Sequence, residues 1–171
     1  MRKTIDEKEF LERIRINRGL LFKICNIYCV NREDREDLAQ EIVYQLWRSG
    51  ASFDDSCRFT TWMYRVALNV AISYYRNTKR DDMTVSLSEW AIDIENGATD
   101  VDEDDMERNR QLLYNSINEL NAMDRMLILL FLEEKNYSEI AEIAGITETN
   151  VATRLNRIRE KLKRKIAQQK D

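Results

Sequence analysis

The stretch from Asn136 to Lys163, NYSEIAEIAGITETNVATRLNRIREKLK, admits few folds. Ile140, Ala141 and Ile143 recur at helical spacing behind Ser138, a residue suited to capping a helix start. Gly145 interrupts that run and can supply the positive φ of a sharp turn. Thr147 offers a second cap, and after it Val151, Leu155, Ile158 and Leu162 fall at i, i+4, i+7 and i+11. That spacing lays one apolar stripe along a helix. The stretch therefore predicts helix, tight turn, helix.

The far side of the second helix carries Asn150, Thr153, Arg154, Asn156, Arg157 and Lys161. Arg and Asn make paired hydrogen bonds to guanine and adenine edges, and cations also hold phosphates. A helix packed on one side, polar and basic on the other, and entered through a glycine turn suits the major groove of duplex DNA. An ordinary helical hairpin would carry the same stripe, so the pattern alone leaves both readings open.

Charge is segregated along the chain. The net charge is −4, yet Asp81 to Glu107 holds 11 acidic residues and no Lys or Arg, so the remainder is net positive. Arg154 to Lys170 has eight basic residues and one acid; Ser56 to Arg80 has five basic residues and no acid. Two basic segments separated by an acidic one fit a nucleic-acid binder whose linker stays out of the contact. Cations in a last helical turn also complement the helix dipole, which gives the C-terminal cluster an ordinary explanation as well.

Composition narrows the chemistry. With no proline and four glycines, the chain reads as helical. There is no histidine, which removes Cys/His zinc sites and the His-based nucleophile systems. Cys25, Cys29 and Cys57 are too few for a four-thiolate site and read as small apolar residues of a reducing cytosol. No phosphate-cradling glycine loop is present. The longest apolar run, Met126 to Leu132, cannot span a bilayer, and the N-terminus lacks an apolar signal core. We expect a non-enzymatic cytoplasmic protein without cofactor, metal or membrane insertion.

Upstream, Asp6 to Tyr28 reads as a helix with Phe10, Leu11, Ile14, Leu21, Ile24 and Tyr28 on its apolar side and a break or a kink at Gly19. Glu33 to Arg48 reads as a second helix whose buried side is Ala39, Ile42, Val43, Leu46 and Trp47. Its exposed strip is Asp37, Gln40, Glu41 and Tyr44. Ser49 to Arg58 reads as a loop. Phe59 to Asn77 reads as a third helix with Met63, Val66, Ala67, Val70 and Tyr74 inward. That leaves Phe59, Trp62, Tyr64, Arg65, Asn69, Tyr75 and Arg76, then Lys79 and Arg80. Aromatic, Arg and Asn side chains without acids suit single-stranded DNA, where bases stack on rings and cations hold the backbone. Trp62 and Tyr64 serve equally well as core rings. Asp81 to Asp105 reads as largely irregular, with a short helix near Ser88 to Ile92. Helix resumes at Met106, turns at Asn121 to Asp124, and continues as a strongly apolar segment from Arg125 to Glu134.

Three of these motifs, in this order, resemble the extracytoplasmic-function sigma factors of bacteria. DREDLAQEIVYQLWR resembles the family's region 2.2, FTTWMYRVALNVAISYYRNTKR its regions 2.3 and 2.4, and INELNAMDRMLILLFLEEKNYSEIAEIAGITETNVATRLNRIREKLKRK its region 4. The resemblance implies an all-α chain of two small helical domains: region 2 over residues 1–80, an acidic linker over 81–107, and region 4 over 108–171. It implies that Asp37, Gln40, Glu41 and Tyr44 dock on the β′ clamp coiled coil of core RNA polymerase, with the β flap a further contact. Ser52 to Arg58 would form a loop that captures a flipped base, so Ser56, Arg58, Phe59, Trp62, Tyr64, Arg65, Asn69, Arg76 and Arg80 would serve the −10 element. Thr149, Asn150, Thr153, Arg154, Asn156, Arg157 and Lys161 would read the −35 element as duplex. An anti-sigma factor is an implied partner. Asn121 departs from the family pattern, which usually has proline there. The rival reading is a stand-alone helix-turn-helix regulator, in which the acid-free aromatic helix would have no role.

Overall fold

The computed structural model describes residues 6–78 and 103–170, which form eight α-helices and no strand. The helices are α1 (Glu7–Ile16), α2 (Arg18–Tyr28), α3 (Arg32–Gly50), α4 (Phe59–Thr78), α5 (Glu103–Asn118), α6 (Ala122–Leu132), α7 (Tyr137–Ala144) and α8 (Glu148–Lys170). None of them is long and apolar enough to cross a membrane.

The first four helices form a bundle. α2, α3 and α4 pack on one another around Ile24, Leu38, Ile42, Leu46, Met63 and Leu68, all fully buried. Each such side chain contributes about 1.5–3 kcal/mol relative to exposure. α1 lies against this bundle through Phe10, whose ring comes within 3.2 Å of the position a Cβ would take at Gly50. The last four helices form a second group around Ile117, Leu120, Leu127, Leu130, Ile140 and Leu155. α6 belongs to both groups. It packs on α7 and α8 and also on α2 and α4, so one continuous apolar cluster runs through the described residues.

Local chemistry moves several expected boundaries. The break after the first helix falls at Asn17, not Gly19, which sits inside α2. The Asn17 amide donates to the Arg13 carbonyl at 2.7 Å, offering that carbonyl a side-chain partner where the helix stops. Leu11, expected inward, is half exposed. The buried stripe of α3 is Leu38, Ile42 and Leu46, so Val43 and Trp47 lie outside at 38% and 50% exposure. α5 begins at Glu103, within the expected linker. α6 begins at Ala122 because Asn121 caps it, accepting from the Asp124 amide at 2.9 Å. The expected short helix at Ser88 to Ile92 lies outside the described residues, as does Arg80.

Candidate nucleic-acid and polymerase interfaces

The helix-turn-helix is built by two caps and one glycine. Asn136, not Ser138, caps α7: its side chain accepts from the Glu139 amide at 2.9 Å, and the Glu139 carboxylate accepts from the Asn136 amide at 2.9 Å. This reciprocal pair satisfies two helix-start donors at once. Gly145 ends α7 with φ of 70°, a conformation that costs any residue bearing a Cβ. Thr147 then accepts from the Asn150 amide at 3.1 Å and starts α8. Val151, Leu155, Ile158 and Leu162 are buried, as their spacing predicts.

The opposite face of α8 presents Thr149, Asn150, Thr153, Asn156, Arg157 and Lys161 to solvent. Asn156, Arg157, Glu160, Lys161, Arg164 and Lys165 line a groove of about 610 Å³. Not every polar group on this face is free. Arg154 is half-buried, bonding Asn150 at 3.2 Å and pairing with Asp124 at 3.4 Å. The Thr153 hydroxyl donates to the Thr149 carbonyl at 3.0 Å. Lys165 pairs with Glu119, and the Arg159 guanidinium lies 4.2 Å from the Phe131 ring centroid. Arg157 and Lys161 are the exposed cations near the middle of the face, and among the described residues neither forms an ion pair.

On α3, Asp37, Gln40, Glu41 and Tyr44 are exposed together. They line one wall of a groove of about 850 Å³ whose other wall is Asn69, Val70, Ser73, Tyr74 and Asn77 of α4. The helix that carries the strip is capped by Asn31, which accepts from the Asp34 amide at 2.7 Å. Tyr74 donates to Asp34 at 3.3 Å, tying α4 to the start of α3. Burial, with the Asp34 charge beside it, pushes the Tyr74 hydroxyl up to about 12.

The aromatic residues of α4 divide. Trp62 is 9% exposed and Tyr64 is 4% exposed, so neither offers a ring face for a base to stack on. Trp62 packs on Phe53 at 5.3 Å and Phe59 at 5.4 Å, and Phe59 in turn meets Phe53 and Phe10 edge-on. Arg13 lies over the Phe59 ring at 5.1 Å. Tyr64 is covered by Lys135 at 5.6 Å, and burial raises its hydroxyl pKa. Arg65 donates to the Glu142 carbonyl of α7 at 3.2 Å. Asn69 and Arg76 are exposed, as are Ser56 and Arg58 in the preceding loop. That loop is anchored by buried Phe53 and bent at Asp55, which has φ of 59°. Phe53 gives no sign of this in the sequence, because a lone aromatic in a polar loop carries no periodicity.

Among the described residues no group of His, Cys, Asp or Glu side chains could hold a metal ion. Burial pushes the Cys25 thiol up to about 11 and the Cys29 thiol up to about 12, so both stay protonated near neutrality.

An all-helical bundle coupled to a capped helix-turn-helix places the chain in the class of modular helix-turn-helix proteins. Residues 14–81 match the Sigma-70 region 2 family and residues 110–162 match the Sigma-70, region 4 family. The ECF RNA polymerase sigma-E factor of Haemophilus influenzae is 30% identical over 80% of this chain and 77% of its own length. The ECF RNA polymerase sigma factor SigW of Bacillus subtilis is 25% identical over 94% of this chain and 90% of its own. Among solved structures, the sigma factor RpoE of Bartonella quintana, in complex with the anti-sigma factor NepR, superposes with a TM-score of 0.68 at 20% identity. That alignment covers 94% of this chain and 98% of the other. The chain belongs to the extracytoplasmic-function sigma factors of the sigma-70 family, proteins that direct transcription initiation. A stand-alone regulator would leave the region 2 match unexplained.

Proposed function

We propose that this chain docks on core RNA polymerase through the α3 strip Asp37, Gln40, Glu41 and Tyr44 and reads promoters with two separate faces. α8 reads the −35 element as duplex, with Arg157 and Asn156 at base edges and Lys161 on phosphate. Their exposure on a helix held from behind by four buried aliphatic residues supports that role. The loop from Ser52 to Arg58, with the exposed parts of α4, handles the −10 element as the strands separate. Unstacking a base costs a few kcal/mol, so a pocket must offset it. The burial of Phe53, which anchors the loop, supports this assignment. Trp62 and Tyr64 serve here by holding the loop and α4 in place. The chain catalyses nothing itself; RNA synthesis is the polymerase's chemistry. It acts in the bacterial cytoplasm, and an anti-sigma factor is its regulator.

One observation carries the reading: region 2 and region 4 matches stand in order along one short chain. The test is transcription reconstituted from purified protein, core polymerase lacking any sigma factor, and genomic fragments with transcript starts mapped. Discrete starts that share two upstream motifs are expected. No binding to core, together with specific duplex binding by the chain alone, would overturn it.

A further inference from the structure

Asp124 is a carboxylate of α6 that reaches α8, and its two oxygens are divided. Oδ2 accepts from the Asn121 side chain at 2.8 Å, within the cap of α6. Oδ1 faces the Arg154 guanidinium of α8 at 3.4 Å. The Asp124 side chain is 23% exposed and that of Arg154 is 40% exposed, so the pair is partly sheltered from water. Arg154 passes the contact on. Its Nε donates to the Asn150 Oδ1 at 3.2 Å, one turn nearer the start of α8. The Asn150 backbone amide is itself held by the Thr147 hydroxyl at 3.1 Å. Asp124, Arg154 and Asn150 thus form a chain of contacts from the cap of α6 to the first turn of α8. In a helix-turn-helix that turn is where side chains meet base edges.

We propose that Asp124 is a positioning residue for promoter recognition: it touches no DNA, yet it sets how sharply the first turn of α8 discriminates among bases. The inference rests on the reading of α8 as the −35 helix given above. Two physical effects carry it. A free asparagine amide turns over to suit either a donor or an acceptor edge, whereas a bonded Oδ1 fixes one pattern. A free arginine binds any phosphate, which adds affinity without sequence information. The Asp124 carboxylate holds the guanidinium back from that use and keeps it against Asn150. The acid therefore exchanges general affinity for discrimination, since contacts open to every sequence are withheld. Its effect on stability is small, because a partly exposed ion pair contributes little to folding.

The test uses the whole chain assembled with core polymerase. Binding is titrated against a mapped promoter, and against the same promoter with its −35 element scrambled, over a range of salt. Asp124→Ala should keep the parent melting temperature. It should bind the scrambled promoter more tightly than the parent does, with a steeper fall of affinity as salt rises. The ratio of mapped to scrambled affinity should drop about fivefold or more, the lower end of what one good base contact contributes. If Asp124→Ala loses helicity, Asp124→Asn, which keeps an acceptor for Asn121, takes its place with the same expectation. A folded variant with an unchanged ratio, or with both affinities lowered together, overturns the proposal. The contacts run through Arg154, so in an Arg154→Met background Asp124→Ala should leave the ratio where it is. A further drop there would mean that the acid acts without Arg154, and would overturn the proposal as well. Failure of the underlying reading looks different: the parent would then bind the mapped and scrambled promoters equally.

Discussion

Replacing Trp62 with alanine separates scaffold from contact. The ring is 9% exposed and wedged between Phe53 and Phe59, with Phe10 one ring further on. Truncating a buried aromatic to alanine costs about 3–5 kcal/mol, from lost transfer energy and the cavity left behind. The two aromatic pairs lost here account for about 0.5–1.5 kcal/mol each. Small domains hold about 5–15 kcal/mol in total, so Trp62→Ala should remove about a fifth of the stability or more. Phe53 loses one of its two ring partners, so the loop it anchors should loosen together with the fold. Trp62→Phe keeps a ring in the site, leaves a smaller cavity and should cost clearly less than the alanine change. Guanidinium unfolding followed by far-ultraviolet circular dichroism measures both losses, and open-complex formation on a mapped promoter measures function. We expect function to track stability: nearly normal for Trp62→Phe and poor for Trp62→Ala. A Trp62→Ala protein as stable as the parent but unable to form open complexes would refute the reasoning, because the ring would then work at the surface.

Arg157→Ala should weaken promoter affinity by about 1–3 kcal/mol with no change in melting temperature, measured by titration against a duplex −35 element at fixed salt. Equal affinity would remove Arg157 from the base contacts. Gln40→Ala combined with Glu41→Ala should weaken binding to core polymerase while leaving the helical spectrum intact, and normal core binding would dismiss the α3 strip. The buried thiols set an alkaline limit. Unfolded Cys25 and Cys29 ionise near pH 9, whereas the fold keeps them protonated up to about 11 and about 12. The folded state binds the extra protons, so their stabilisation is complete below about pH 9. It falls by about 1.4 kcal/mol per pH unit and per thiol as pH rises towards the folded values. Denaturant unfolding across that range should be flatter for Cys25→Ala with Cys29→Ala, and parallel curves would count against this account.

The helix-turn-helix was legible because its signals are local and redundant. Apolar spacing, a glycine and two capping residues all mark the same turn, so mistaking Ser138 for Asn136 moved a boundary and nothing else. The inward face of α3 was less legible. Trp47 is large and apolar, yet half of it is exposed, because its position is set by Leu38, Ile42 and Leu46 at strict four-residue steps. The division of α4 into core rings and exposed polar groups was not readable at all. A ring between an apolar neighbour and an arginine fits a core and a binding face equally well, and only packing decides. Arg125 was hidden for a related reason. This buried side chain donates to the carbonyls of Ile27, Asn118 and Leu120 and to the Tyr75 hydroxyl, and the sequence pattern does not reveal which acceptors will converge on one side chain.

The double membership of α6 bears on how such a chain can change over generations. Leu127 and Leu130 are fully buried, in a helix pressed by α2 and α4 on one side and by α7 and α8 on the other. A substitution there must satisfy two sets of neighbours at once, so α6 should drift slowly. The outward face of α8 is exposed at Asn156, Arg157 and Lys161. If α8 reads promoters as proposed, duplicated copies of this gene could diverge in the promoters they recognise by altering a few exposed side chains, while inheriting the helix behind them almost unaltered.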